Sequence, residues 1–180
     1  QAPAEALERV RRLREGGLQQ RLDQPGRQRL DALVPAVLRA ASREVEAARA
    51  LDGMVLVLEA IGRRSAYFAL LNENPAALQR LVGICAASEF LARLVATHPL
   101  LLDELLDPRV FEQAPSRSEL AADLKVRLSR VATDDAEARL DALRNFQQAA
   151  IFRVAVVDLT GVLPLMKVSD RLTDIAELVL

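Results

Sequence analysis

The sequence is poor in the side chains that favour sheets. Its 180 residues include no tryptophan, one tyrosine and five phenylalanines, while leucine and alanine predominate. Aromatic and β-branched side chains favour strands, whereas leucine and alanine favour helices. The composition therefore predicts an all-α protein, and with 51% apolar residues the chain can bury a core.

A single cysteine and a single histidine restrict the chemistry further. Cys85 cannot form an internal disulfide, which is typical of a reducing compartment. Because it lies in the apolar run LVGICAAS, we interpret it as a small buried hydrophobic residue. A structural zinc site needs about four Cys or His ligands, so Cys85 and His98 together exclude one.

The sequence also contains no pattern typical of a membrane span or of a phosphate-binding loop. No apolar stretch reaches the roughly 18 uncharged residues that a span needs, and no basic-then-apolar leader opens the chain. We therefore expect a cytoplasmic protein without a membrane partner. The seven glycines form neither G-x-G-x-x-G nor G-x-x-x-x-G-K-[ST], so nucleotide binding has no local support.

The charges are balanced, with a formal net charge of −1. Of the 24 basic residues 22 are arginine, interleaved with Asp and Glu. The most basic stretch, RVRRLREGGLQQRLDQPGRQR, is either a local basic surface or, in the interpretation we favour, a solvated helix followed by a loop. We predict no nucleic-acid partner.

Breaks in the apolar periodicity divide the chain into three parts. Residues 1–26 are expected to form a loosely attached helix, over 3–15, and a loop with breaks at Gly16-Gly17 and at QPGR, 24–27. Residues 27–113 are predicted to form a helical array, and 114–180 long helices that lead towards a next domain. Because the sequence opens with Gln and ends in an apolar helical pattern without a stop signal, we expect one helical segment, 1–180, of a larger protein.

Within the array, apolar residues recur at intervals of three and four from 28 to 50 and predict one helix there. Its apolar face would consist of Leu30, Leu33, Val34, Val37, Leu38, Ala41, Val45 and Ala48. The stretch LDGMVLVLEAIGRR has some strand character but is predicted to be a buried helix. Short helices are expected to begin at Asn74-Pro75, at Ser88 and at Thr97-His98-Pro99.

The last third contains signals for longer helices. Ser116 and Glu119 have capping-box spacing and predict a helix to about residue 131. Asp134 and Glu137 repeat that spacing ahead of a long helix, which Gly161 and Pro164 should end. Its apolar stripe would be Leu140, Leu143, Phe146, Ala150, Val154 and Val157. Ser169 is expected to cap a last helix, with Leu172, Ile175, Ala176 and Leu180 on its apolar side.

The segment HPLLLDELLD, 98–107, is the first candidate for chemistry. In a helix, Asp103, Glu104 and Asp107 gather on one side and Leu101, Leu102, Leu105 and Leu106 on the other. A Ser-His-Asp arrangement would have to use His98, but no G-x-S-x-G nucleophile elbow is present. The carboxylates could hold magnesium, yet such clusters are far more often hydrated. We interpret the segment as a packed amphipathic helix with a solvated acidic face.

The second candidate is DLTGVLPLMKVSD, 158–170. Gly161 and Pro164 interrupt the helical pattern there, and Lys167 follows them. We interpret this stretch as a corner or hinge between two helices.

Two longer stretches resemble a known family. They are ALLNENPAALQRLVGICAASEFLARLVATHPLLLDELLD and LRNFQQAAIFRVAVVDLTGVLPLMKVSDRLTDIAELVL. Both closely resemble the bacterial glutamine synthetase adenylyltransferase/adenylyl-removing enzymes, also called glutamate-ammonia-ligase adenylyltransferases. The resemblance covers residues from about 60 to 180 and points to the central helical region.

The resemblance implies a large bifunctional parent protein. In this family one nucleotidyltransferase domain removes AMP from a tyrosine of glutamine synthetase, a second attaches it, and a helical region joins them. The catalytic signature is a Gly-Ser pair followed by two acidic residues that hold magnesium and nucleotide. These 180 residues contain no Gly-Ser pair. No catalytic, cofactor-binding or metal-binding residue is therefore carried over, and Mg and ATP are implied only for the parent's catalytic domains.

The resemblance thus predicts a non-catalytic linker or regulatory region in nitrogen regulation. Its expected partners are the flanking nucleotidyltransferase domains, glutamine synthetase and the signalling protein PII, whose signal and that of glutamine it would relay. The alternative is an autonomous α-helical adaptor for protein–protein interaction without enzymatic activity. The two are separated by whether the segment is encoded together with nucleotidyltransferase domains.

Overall fold

Every regular element in the described part of the chain is a helix, which confirms the all-α prediction. The computed structural model describes residues 8–9, 11, 17–161 and 163–180. The chain divides into two units, Gln1–Leu106 and Asp107–Leu180. In the described ranges, no helix combines the length and the apolar composition that crossing a membrane requires.

The first unit is an array of short and medium helices. They are α1 (Gly17–Arg21), α2 (Gln24–Ala41), α3 (Ala47–Ile61), α4 (Ala66–Glu73), α5 (Pro75–Ala87), α6 (Glu89–Thr97) and a 3₁₀ helix (Pro99–Leu106). Helix α3 packs against α5 and α6, and α2 packs against α4 and α5. The stretch with strand character is therefore a buried helix, as predicted, and it packs against two others.

Apolar side chains from each of these elements build the core of the first unit. The largest fully buried ones are Leu30, Leu33, Met54, Leu58, Ile61, Phe68, Leu71, Leu81, Leu91 and Leu102. Most are aliphatic, in keeping with the low aromatic content of the sequence.

The predicted break at QPGR is wrong, because these residues begin a helix. Asp23 caps α2 by accepting a hydrogen bond from the Gly26 amide at 2.8 Å, and Pro25 lies in the first turn. Proline fits there since the first helical amides have no partner within the helix. The helix predicted over 3–15 lies outside the described residues except at 8, 9 and 11.

The single helix predicted from 28 to 50 is also wrong, since α2 ends at Ala41 and α3 begins at Ala47. The Ser42 hydroxyl donates to the Arg39 carbonyl at 3.0 Å, a local bond that competes with helix continuation. Beyond this break Val45 and Ala48 are exposed, so neither belongs to the core. The predicted face is buried at Leu30, Leu33, Val34, Val37 and Ala41, and Leu38 is half-buried.

The predicted helix starts after residue 73 are largely confirmed. Pro75 opens α5, and Ser88 caps α6 by accepting from the Leu91 amide at 3.3 Å. After Thr97 a helix does begin at Pro99, but it is a 3₁₀ helix instead of an α-helix. Thr97 belongs to the end of α6, where its hydroxyl donates to the Arg93 carbonyl at 2.9 Å.

The second unit contains fewer and longer elements. They are a short 3₁₀ helix (Pro108–Phe111), α7 (Arg117–Ser129), α8 (Ala136–Leu159) and α9 (Leu165–Val179). The 24-residue α8 confirms the long helix predicted near the C-terminus. The three α-helices pack on one another around a cluster of Leu120, Leu124, Phe146, Ala150, Val154 and Ile175.

One of the three predicted caps in this unit is confirmed. Ser116 and Glu119 form a complete capping box at the start of α7. The cap of α8 is Asp135 and not Asp134, because its carboxylate accepts from the Ala138 amide at 2.9 Å. The prediction that Ser169 caps the last helix is wrong, because Pro164 precedes the first turn of α9 and Ser169 lies inside the helix.

The apolar stripes predicted for α8 and α9 are only partly correct. In α8, Phe146, Ala150, Val154 and Val157 are buried, whereas Leu140 is exposed. In α9 only Ile175 of the predicted stripe is buried; Leu172, Ala176 and Leu180 are exposed. The helix packs through Val168, Ile175, Leu178 and Val179 instead, because that face meets the central cluster.

Candidate functional site

His98 lies at the junction between α6 and the 3₁₀ helix that follows. Its amide donates to the Leu94 carbonyl at 2.9 Å, and its own carbonyl accepts from the Leu101 amide at 3.0 Å. The backbone of His98 thus ends one helix and begins the next. Within the described part of the chain, its imidazole has no hydrogen-bond or ion-pair partner, so no Ser-His-Asp arrangement is assembled there.

The three carboxylates of the HPLLLDELLD segment belong to different environments. Asp103 is exposed and Glu104 half-buried, both in the first unit, whereas Asp107 is the first residue of the second unit. Desolvation by the surrounding residues raises the pKa of the Asp103 carboxyl above its usual value. Among the described residues, no group of three His, Cys, Asp or Glu side chains could hold a metal ion.

The leucines of this segment do not all share one face. Leu101, Leu102 and Leu105 are buried, but Leu106 is 44% exposed, which contradicts the predicted apolar face at that position. A 3₁₀ helix has three residues per turn, so 102 and 105 lie above one another while 106 turns away. Arg80 donates to the Leu105 carbonyl at 2.7 Å and thereby satisfies a group at the end of this helix.

Cys85 is buried in α5, as the sequence indicated. Its environment is so apolar that desolvation raises the pKa of the thiol to about 12. Because the thiolate is the nucleophilic form, Cys85 remains a protonated, unreactive packing residue at neutral pH.

A small polar pocket of about 140 Å³ lies in the second unit. Asp107, Arg109, Val110, Gln113, Pro115, Glu119 and Arg153 line it. Pockets for small molecules usually measure about 300–1,000 Å³. This one is therefore too small to enclose a nucleotide.

Both carboxylates of this pocket accept hydrogen bonds from nearby residues. The Asp107 carboxylate accepts from the Arg109 amide at 3.0 Å and from its guanidinium Nη2 at 2.7 Å. These bonds lower the pKa of Asp107 to about 2. The Ser116 hydroxyl and amide donate to Glu119 at 2.7 and 2.8 Å, and lower the pKa of that carboxyl as well.

Arg153 connects the pocket to α7. Its Nη1 lies 4.0 Å from Asp123 Oδ2, while Asp123 Oδ1 accepts from Arg127 Nε at 3.0 Å. Because their pKa values are lowered, Asp107 and Glu119 are poor proton acceptors at neutral pH. The arrangement is suited to holding the segment from 107 to 119 on the helices, and not to acid–base catalysis.

The joint between α8 and α9 lies where the sequence placed a corner. Helix α8 ends at Leu159, Gly161 has φ +69°, and α9 begins at Leu165 after Pro164. A positive φ is readily adopted by glycine alone, which explains the residue type there. Lys167 pairs with Asp170 at 3.3 Å on the surface of α9.

A feature that sequence reasoning missed is an open groove of about 550 Å³ in the second unit, which we call the apolar groove. It is lined by Ala121, Leu124, Lys125, Leu128, Ser129, Val131, Thr133, Arg139 and Leu178. These residues come from α7, the following loop, the start of α8 and the end of α9. No single stretch of sequence contains a signal for it.

Comparison with known proteins gives consistent results over the chain. The family model described as glutamate-ammonia ligase adenylyltransferase matches residues 78–180. Proteins named bifunctional glutamine synthetase adenylyltransferase/adenylyl-removing enzyme match nearly the whole chain. The one from Thioalkalivibrio sulfidiphilus is 49% identical over 175 residues, and those from Pseudomonas putida and Pseudomonas aeruginosa are 46% and 44% identical over 178 and 175. The alignments cover 97%, 99% and 97% of this chain but only 18% of each relative.

Proposed function

The chain belongs to the glutamate-ammonia ligase adenylyltransferase family, and we propose that it forms a non-catalytic helical region joining the two nucleotidyltransferase domains of a bifunctional enzyme. The complete protein would attach AMP to glutamine synthetase and remove it. In this proposal the chain fixes the geometry of the two catalytic domains and relays the signals of glutamine and PII between them.

The observation that carries this proposal is the coverage of the alignments. Between 97% and 99% of this chain matches only 18% of relatives whose names state both activities. A module embedded in a much longer enzyme fits this ratio better than the alternative, an autonomous helical adaptor.

The chemistry of the polar residues supports a non-catalytic role. The sequence has no Gly-Ser pair of the kind that the family's catalytic signature requires. Asp107 and Glu119 are held in caps, and the Cys85 thiol is protonated. Among the described residues, no group of three His, Cys, Asp or Glu side chains could hold a metal ion. In this proposal Mg and ATP bind in the flanking catalytic domains, as the family resemblance implies.

The helices support a positioning role. Helix α8 has 24 residues, and at 1.5 Å per residue it is about 36 Å long. A continuous hydrogen-bonded helix of this length can hold two attached domains at a fixed separation. A relay requires, in addition, that the effectors bind two states of the protein with different affinity.

The proposal is tested by separating catalysis from regulation. Three proteins are each assayed in the presence of glutamine synthetase, ATP and Mg²⁺. They are the 180-residue chain, the full-length protein, and a full-length protein in which a flexible linker replaces these residues. We expect no AMP transfer by the chain alone. We expect the linker variant to retain both reactions but to lose their response to glutamine and PII.

Two results would contradict the proposal. AMP transfer by the isolated chain would show that it is catalytic. Full regulation in the linker variant, with both catalytic domains still active, would show that the signals do not pass through this region.

A further inference from the structure

The core of the second unit is open to solvent along the apolar groove. Leu124 belongs to the central cluster, and Leu128 and Leu178 pack against it, so the floor of the groove is the edge of the core itself. Leu128 and Leu178 remain only half-buried. The volume of the apolar groove, about 550 Å³, falls within the usual range for ligand sites.

The charges at the groove have one sign. Lys125 and Arg139 line it, and no carboxylate does among the described lining residues. Neither cation forms an ion pair within the described part of the chain. Other arginines of the same unit are paired; Arg171, for example, contacts Asp174 at 2.7 Å. Two unpaired cations beside half-buried leucines fit a partner that is both apolar and acidic.

We propose that the apolar groove binds an amphipathic helix with carboxylates beside its apolar face, supplied by the part of the full-length polypeptide outside this chain. Helices dock in grooves of this kind through apolar residues spaced three and four apart. Carboxylates beside that stripe would pair with Lys125 and Arg139. The proposal rests on the proposed function only in treating the chain as part of a longer enzyme.

The length of the relatives supports an occupant from the same polypeptide. The chain spans 18% of each relative, so more than four fifths of such a protein lies outside it. A tethered segment reaches effective concentrations in the millimolar range. A shallow, open groove can therefore be covered by a segment of the same polypeptide even if its affinity for a free helix is low.

The two lysines of the chain provide a direct test without any substitution. Lys125 lines the groove, whereas Lys167 lies outside it, on the surface of α9. Acetylation by an N-hydroxysuccinimide ester, followed by peptide mass spectrometry, gives the rate at each amine in the 180-residue chain and in the full-length protein. If the groove is covered nine-tenths of the time, the rate at Lys125 relative to Lys167 falls about tenfold in the full-length protein.

Charge variants of Arg139 test the chemistry of the occupant. In the full-length protein, Arg139→Glu should restore rapid acetylation of Lys125, because it repels the carboxylates. Arg139→Lys keeps the charge and should retain the protection. Circular dichroism of both variants checks that the helices are intact.

An unchanged ratio of Lys125 to Lys167 rates in the full-length protein would overturn the proposal. So would protection that arises only after glutamine synthetase is added, because the occupant would then be a separate protein. Neither result would bear on the AMP-transfer assay, so failure of this inference is distinguishable from failure of the proposed function.

Discussion

Gly53 of α3 lies close to both α5 and α6 in the first unit. A Cβ atom at this position of α3 would lie 2.8 Å from Cys85 Cβ in α5 and 3.1 Å from Ala92 Cβ in α6. Both neighbouring atoms are fixed by their backbones and cannot swing away. Because glycine has no side chain, α3 can approach α5 and α6 this closely.

We predict that Gly53→Ala lowers the free energy of unfolding by about 1–3 kcal/mol, the usual cost of overpacking a core. The helices must separate to admit the methyl group, and this loss exceeds the gain of about 1 kcal/mol that alanine brings to a helix interior. Urea unfolding followed by circular dichroism measures the change.

Gly83→Ala is the matched control, because Gly83 also lies inside a helix, α5. A Cβ there would meet only Glu44 Oε1, at 3.9 Å. This variant should be neutral or more stable than the parent by up to about 1 kcal/mol. If both variants shifted stability equally, the close approach at Gly53 would not determine the packing.

The 3₁₀ helix Pro99–Leu106 shows how the geometry of one element decides which of its side chains are buried. An α-helical period groups Leu101, Leu102, Leu105 and Leu106, whereas three residues per turn leave Leu106 outside. The burial of Leu102 and Leu105 is complete, at 0% exposure each. The sequence alone does not reveal this difference, since both helix types accept the same residues.

From the geometry of this 3₁₀ helix we predict that two Leu→Ala substitutions lower the free energy of unfolding by different amounts. Leu102→Ala should lower the free energy of unfolding by roughly 2–5 kcal/mol, through lost burial and the cavity that remains. Leu106→Ala, at a site that is 44% exposed, should change it by less than about 1 kcal/mol. Chemical denaturation of both variants measures the difference. Equal losses would mean that this segment is an α-helix with Leu106 in the core.

At the scale of the whole molecule, the two units carry carboxyl groups with opposite responses to acid. In the second unit the pKa values of Asp107, Glu119 and Asp174 are lowered by hydrogen bonds, chiefly from Arg109, Ser116 and Arg171 respectively. In the first unit the pKa of Asp103 is raised by desolvation. A lowered pKa favours folding at neutral pH and loses that contribution on acidification, whereas a raised pKa does the reverse.

We therefore predict that acid weakens the second unit before the first. The contribution of Asp107 is fully present above its ordinary pKa of 3.8 and disappears as the pH falls towards its folded value of about 2. Native-state amide exchange, corrected for the intrinsic effect of pH, should show protection of α7 falling more than that of α5 between pH 5 and pH 2.

Asp107→Asn tests the origin of this response, because asparagine retains an acceptor but does not titrate. Its second unit should lose less protection on acidification than that of the parent. A parent chain in which α5 and α7 lose protection in parallel would contradict the assignment of acid sensitivity to the second unit.

The sequence by itself determined the features that depend on contacts within one or two turns. The capping box of Ser116 and Glu119, the cap at Ser88 and the buried faces of α2 and α8 are of this kind. So is the end of α8 at Leu159, two residues before Gly161. Their interactions span three or four residues, so the order of residues fixes them.

The tertiary structure alone decided the features that depend on distant residues. It turned Leu106 and Leu172 outward, and placed Asp107 outside the helix that contains Asp103. It also built the apolar groove from four segments of the second unit. In the 3₁₀ helix and in α9, packing between elements selects which face is buried. That selection overrides local preference because buried apolar area contributes more free energy than helix propensity.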